Sequence, residues 1–93
     1  MSTAIKRYHL IISGRVQGVS YRVSAWEKAR QLGLSGWVSN LRDGRVEMII
    51  EGEQEQLDQM TEWAAEGPRF AKVSHIDLTE ETAAADFADF QIR

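Results

Sequence analysis

The sequence predicts an α+β sandwich in which two helices cover one face of a sheet of antiparallel type. Three observations carry that expectation. Strand-like and helix-like segments follow one another as β-α-β-β-α-β, with a short strand at the end. Asp43-Gly44 lies between two apolar runs, where Asp-Gly supplies the positive φ of a tight hairpin. The only proline, Pro68, follows Gly67 at the end of the second helical run.

Residues 5–13 read as a strand, with Tyr8, Leu10 and Ile12 on one side and Arg7, His9 and Ser13 on the other. Ile11 breaks the alternation and predicts a partly covered second face. Residues 14–20 form a break with two glycines. Residues 21–32 read as a helix, with Val23, Trp26, Ala29 and Leu32 near one stripe and Gly33 as its stop. Residues 34–41 form a second strand that points Trp37 and Val38 to opposite faces. After the turn, residues 45–52 alternate, with Val46, Met48 and Ile50 inward and Arg45, Glu47, Ile49 and Glu51 outward. Residues 53–66 form a helix with Leu57, Met60, Thr61 and Ala64 on one face, ended by Gly67-Pro68. Residues 73–78 are a fourth strand, residues 79–86 an acidic, alanine-rich loop, and residues 87–93 a short final strand.

Two β-α-β units in this order make the split ferredoxin-like architecture. A helix between the first two strands makes them parallel, with a right-handed crossover. The third strand, the hairpin partner of the second, then falls between them. The C-terminal ends of strands one and two share one edge of the sheet, about 10 Å apart. The loop at 14–20 leaves one of those ends, and Asn40 sits near the other.

Length and composition narrow the function classes. Ninety-three residues hold one small domain, read as spanning residues 1–93. No apolar run approaches the roughly 20 residues of a membrane helix, and the opening MSTAIKRYH lacks the apolar core of a secretory signal. A cytoplasmic protein without membrane contact is expected. Zero cysteines exclude a disulfide framework, a thiolate nucleophile and a cysteine metal site. A net charge of −3 argues against nucleic acid as a partner. Eight of the 11 basic residues are arginine, and Arg15, Arg22, Arg42 and Arg45 fall near the two glycine turns. Arginine matches planar oxyanions better than lysine does, which points to a small anion.

The run Gly14-Arg15-Val16-Gln17-Gly18-Val19-Ser20-Tyr21-Arg22 is the most informative stretch. It joins a strand to a helix. Its glycines let backbone N–H groups turn inward as an anion-binding concavity, and the helix N-terminus adds free N–H groups and partial positive charge. Arg22, in the first helical turn, is ill placed for the helix dipole, a local conflict of the kind functional positions show. The run is neither a P-loop nor a dinucleotide fingerprint. As bare spacing, the glycine pair fits a plain chain turn better than a site.

The stretch Gly14-x-Val16-Gln17-Gly18-Val19-x-Tyr21-Arg22 resembles the signature of the acylphosphatase family. So does the second stretch, from Gly36-Trp37-Val38-Ser39-Asn40 through Asp43-Gly44 to Val46-Glu47, as do Gly67-Pro68 with Ala71 and Val73, and the closing Phe90-x-Ile92. The resemblance runs over residues 5–93. It implies an α/β sandwich that hydrolyses the carboxyl–phosphate bond of acyl phosphates without metal or cofactor. It matches Arg22 to the family's phosphate-binding arginine and Asn40 to its water-positioning asparagine. The backbone of Arg15, Val16, Gln17, Gly18 and Val19 matches the phosphate cradle. Ala25 and Leu41 depart from the threonines that many or some members carry there.

Those residue types suit the chemistry. A phosphoryl group in transfer spreads charge over three oxygens, so positioned donors dominate catalysis. Arg22 offers a charged fork and Asn40 an amide that can hold a water. The expected partners are an acyl phosphate as substrate and inorganic phosphate as product, with a monomeric protein. The alternative is a non-catalytic anion-binding or regulatory domain on the same scaffold. A third class, the RNA-recognition module, shares the element order, but residues 45–50 lack its aromatic pattern. His9 and His75 are expected as sheet-surface residues, and the tryptophans as packing residues.

Overall fold

The computed structural model describes residues 4–93; what was read from residues 1–3 about a leader lies outside them. Seven elements follow in order: β1 (Lys6–Arg15), α1 (Tyr21–Gln31), β2 (Ser35–Asn40), β3 (Val46–Gly52), α2 (Gln54–Glu66), β4 (Lys72–Glu81) and β5 (Phe90–Ile92). The strands form one sheet in the order β4-β1-β3-β2-β5. β3 is antiparallel to both β1 and β2, which makes β1 and β2 parallel to each other, as the helical crossover requires. Tyr8 opposes Ile50, and Val38 opposes Met48.

The helices cover the face that the alternating residues define. Leu10 and Ile12 of β1, Val38 of β2, and Val46, Met48 and Ile50 of β3 are fully buried beneath them. α2 contributes Leu57, Met60 and Ala64, close to the predicted face. α1 differs from its predicted stripe. Its buried residues are Tyr21, Ala25 and Ala29, spaced four apart, while Val23 is half exposed. The two alanines let the helix lie close to the sheet, and Trp26 and Leu32 pack only along its flank.

Three strands differ from their expected bounds by more than one residue. β1 runs on through Gly14 and Arg15, which pair with Val73 and Lys72 after a register shift at Ser13/Gly14. Gly14 has φ 122°, and a Cβ there would run into the carbonyl of Lys72, so the close strand approach requires glycine. β4 continues to Glu81, pairing Thr79, Glu80 and Glu81 with His9, Tyr8 and Arg7. Its charged residues read as loop, yet exposed charge is what an edge strand carries. The final strand shortens to Phe90–Ile92, and it runs parallel to β2, so the sheet is mixed rather than antiparallel throughout.

To reach β2 from the opposite edge, the chain between β4 and β5 crosses the sheet on the face away from the helices. Glu51, buried on that face, holds it there. Its carboxylate accepts from Arg7 Nε at 2.6 Å and from the backbone N–H groups of Ala84 (3.2 Å) and Ala85 (3.1 Å). Arg7 also donates to Asp86 at 3.0 Å and lies over the ring of Phe87. The histidines lie on the sheet surface, as expected. The ladder also brings a carboxylate that sequence spacing hid: His9 Nε2 lies 2.7 Å from Glu47 of β3.

Candidate active site

Between β1 and α1 the backbone takes two left-handed steps, at Gly18 (φ 74°) and Ser20 (φ 63°). Ser20 is the N-cap of α1, but its side chain makes no capping bond, and the first turn holds no acidic residue. The first backbone bond of the helix runs from Ser24 N–H to Ser20 C=O at 3.1 Å. Among the described residues, the N–H groups of residues 18–23 have no backbone acceptor. The result is a run of free donors on the positive end of a helix dipole.

Gln17 ties this loop to the β2–β3 hairpin. Its Nε2 donates to the carbonyls of Leu41 (2.7 Å) and Arg45 (2.9 Å), one on each side of the turn. Leu41 N–H closes the same turn by donating to Arg45 C=O at 2.8 Å. Asn40 stands immediately before this clamp, at the last paired position of β2, opposite Val46. Its Oδ1 is buried and accepts no hydrogen bond from a described residue.

Arg22 is the second residue of α1. One of its terminal nitrogens, Nη1, donates to the backbone carbonyl of Arg93 at 3.0 Å. Arg93 is itself fixed by its N–H to Val38 C=O (2.8 Å) and by its guanidinium over Trp37. This contact leaves other guanidinium donors for a ligand. Behind the loop, buried Tyr21 donates to Ala64 C=O at 2.8 Å. Desolvation pushes its phenol well above the ordinary value, so it stays neutral.

A pocket of about 150 Å³ opens where these parts meet, lined by Val16, Gln17, Gly18, Ser20, Tyr21, Arg22, Val23 and Asn40. Arg22, Asn40 and three of the five expected cradle residues therefore share one cavity. Arg15 and Val19 do not line it: Arg15 pairs with Lys72 in β1, and Val19 packs against the core. Of the four arginines near the turns, only Arg22 reaches the cavity. Arg45 is engaged by Asp43 at 2.8 Å, and the N–H and guanidinium of Arg45 hold the Asp43 carboxyl below its usual range. Two parts escaped the sequence reading. Gln17 was named for its backbone alone, and nothing local linked Arg22 to Arg93. Larger hollows lie elsewhere: those of about 390 Å³ along α2 and β4 and about 290 Å³ by Ile5 and Gln56 include no arginine or lysine, and in those of about 270 and 230 Å³ between the helices Lys28 is accompanied by Glu27 or by Glu62 and Glu66.

The fold and pocket define a small α/β sandwich that can hold an oxyanion between a strand-to-helix loop and a hairpin. The family model described as acylphosphatase matches residues 8–92. An acylphosphatase of Marinobacter nauticus is 53% identical over 94% of this chain and 95% of its own length. Among solved structures, an acylphosphatase from Coxiella burnetii superposes with a TM-score of 0.90 at 42% identity, covering 96% of this chain and 93% of its own. One from Bacillus subtilis gives 0.91 at 37% identity, covering 97% and 99%. The chain belongs to the acylphosphatase family.

Proposed function

We propose that this chain hydrolyses acyl phosphates to carboxylate and inorganic phosphate by direct attack of water on phosphorus. The observation that carries the reading is the shared cavity: Arg22, loop residues with unengaged backbone donors and Asn40, whose amide oxygen has no hydrogen-bond partner among the described residues, line one hollow of about 150 Å³. Family membership supplies the activity, and the roles below are our reading of the geometry.

In this reading Arg22 and the loop N–H groups hold the phosphoryl oxygens and stabilise the charge that builds on them. Asn40 Oδ1 accepts from the attacking water and orients one lone pair toward phosphorus. A neutral amide takes no proton near pH 7, so both water protons end on the product phosphate. One stays on the attacking oxygen and the other passes to a phosphoryl oxygen. The P–O bond to the acyl group breaks, and its electron pair leaves with the carboxylate. A carboxylate is a stable anion, so no strong general acid is needed. Tyr21 is buried, neutral and bonded to Ala64, which argues against a nucleophilic role. The reading keeps the expectation of a cytoplasmic monomer acting without metal or cofactor.

The test is turnover of benzoyl phosphate by purified protein in EDTA, beside Asn40→Ala. Rapid hydrolysis by the wild type, lost in the variant, supports the reading. A folded wild type that binds phosphate without turnover would replace it with the non-catalytic anion-binding domain.

A further inference from the structure

The side chain of Gln17 has a chemistry separate from its backbone, and we infer that it is the positioning residue that sets the distance between the phosphate cradle and Asn40. The inference rests on the function proposed above. A primary amide carries two hydrogens on one nitrogen, and Gln17 spends both: one on Leu41 C=O at 2.7 Å and one on Arg45 C=O at 2.9 Å. These carbonyls flank the hairpin turn on both strands. Each already accepts another bond, Leu41 C=O from Gly44 N–H and Arg45 C=O from Leu41 N–H. Gln17 is therefore not needed to satisfy either carbonyl. What it adds is a fixed link from the loop to the hairpin.

That link has a specific use. Asn40 Oδ1 has no hydrogen-bond partner among the described residues. The amide is thus not locked at that oxygen, and its place depends on the backbone that carries it. Val46, the partner of Asn40, is the last pair of the β2–β3 ladder, so beyond it the register is held by the turn alone. Gln17 grips the chain one residue beyond Asn40 and one residue before Val46. In-line attack needs the water and the phosphoryl group aligned within a few tenths of an ångström. An error near 1 Å can cost about 100-fold in rate. The phosphoryl group is held by the loop and the water by the hairpin, and Gln17 is the side chain that joins the two bodies. Glutamine is the residue the geometry asks for. Glutamate would set a carboxylate against two carbonyl oxygens, and asparagine is one methylene too short to reach across the turn.

Two variants test this, Gln17→Met, which keeps length and removes both donors, and Gln17→Asn, which keeps the donors and shortens the reach. Both are measured for benzoyl phosphate turnover, for inhibition by inorganic phosphate and for thermal midpoint, alone and combined with Asn40→Ala. In each folded variant kcat should fall about 10- to 100-fold, while the inhibition constant for phosphate changes less than about threefold. In the Asn40→Ala background the same substitutions should cost almost nothing further, because Gln17 acts through Asn40. Wild-type kcat in either folded variant would overturn the inference. So would a parallel loss of phosphate affinity, which would assign Gln17 to the cradle itself, or a full additional loss on top of Asn40→Ala. The wild-type control separates the two levels: if it turns over, a failure of these variants to show the split refutes only the role of Gln17.

Discussion

Tyr21 donates its hydroxyl to the carbonyl of Ala64, 43 positions away, and so fills a gap that proline leaves. In a continuous helix Ala64 C=O would accept from the N–H of residue 68, but that residue is Pro68, which has none. α2 ends with Gly67 N–H on Trp63 C=O at 2.7 Å, and Tyr21 takes the next carbonyl. One phenol thereby joins the two helices directly behind the pocket. Tyr21→Phe should cost about 1–2 kcal/mol at pH 7, since a buried carbonyl loses its donor.

The same phenol makes stability pH-dependent in a predictable direction. Burial raises its pKa in the folded state, while in the unfolded chain it ionises near pH 10. Its contribution is complete below about pH 10 and falls as pH rises further, because the unfolded state sheds a proton that the folded state keeps. Urea midpoints between pH 8 and 11.5 should decline more steeply for the wild type than for Tyr21→Phe. Parallel declines would mean the phenol is not shielded as described.

The two proposed catalytic side chains should fail in different ways. Arg22→Ala should weaken phosphate binding and lower kcat/KM by at least about 100-fold, the scale for one lost preorganised donor. Asn40→Ala should bind phosphate almost as well as the wild type while kcat collapses. Competition by inorganic phosphate against benzoyl phosphate reads both. An equal loss of affinity in the two variants would remove the division of labour between them.

Gly14→Ala tests the approach of β1 to β4 beside the loop. The added methyl meets backbone rather than a movable side chain, and φ at 122° is costly for any L-residue with a Cβ. Destabilisation of about 2–4 kcal/mol is expected by denaturant titration. A loss below about 0.5 kcal/mol would mean the strands part easily at this point.

Glu51→Ala removes the acceptor that gathers Arg7, Ala84 and Ala85. Arg7 keeps Asp86 when Glu51 is removed, but the N–H groups of Ala84 and Ala85 lose their acceptor, and the expected loss is about 1–3 kcal/mol in equilibrium unfolding. Glu51→Gln should recover part of it, since the amide oxygen still accepts. A null effect of Glu51→Ala would show that the crossing segment is held by other contacts.

The periodicities of residues 5–13, 45–52 and 53–66 made the core legible because inward positions recur at fixed spacing. Arg22 and Asn40 were legible from motif and topology together: the crossover brings the ends of β1 and β2 to one edge. Arg93 was not, since its carbonyl reaches Arg22 only after β5 has paired with β2, a contact with no local pattern. The span of β4 was misread because an exposed edge strand carries the same charged residues as a loop. The side chain of Gln17 stayed hidden for a simpler reason: a glutamine's partners, here 24 and 28 positions away, leave no trace in its neighbours.

Placing Arg93 beyond a three-residue edge strand also divides the molecule's stability into unequal parts. β5 is bonded on one flank only, with Gln91 and Ile92 exposed, whereas β1 and β3 are held on both flanks. Segments of that kind open by local fluctuation at a small fraction of the global unfolding free energy. Phe90 anchors the start of β5 in the core, so it is the exposed end, residues 91–93, that peels away, and Arg22 then loses its protein partner while the core remains packed. Arg22 therefore borrows its order from one of the least protected pieces of backbone, and amide exchange at residues 91–93 should be fast compared with β3. On heating, or in rising denaturant, catalysis should fade before circular dichroism registers any loss of sheet.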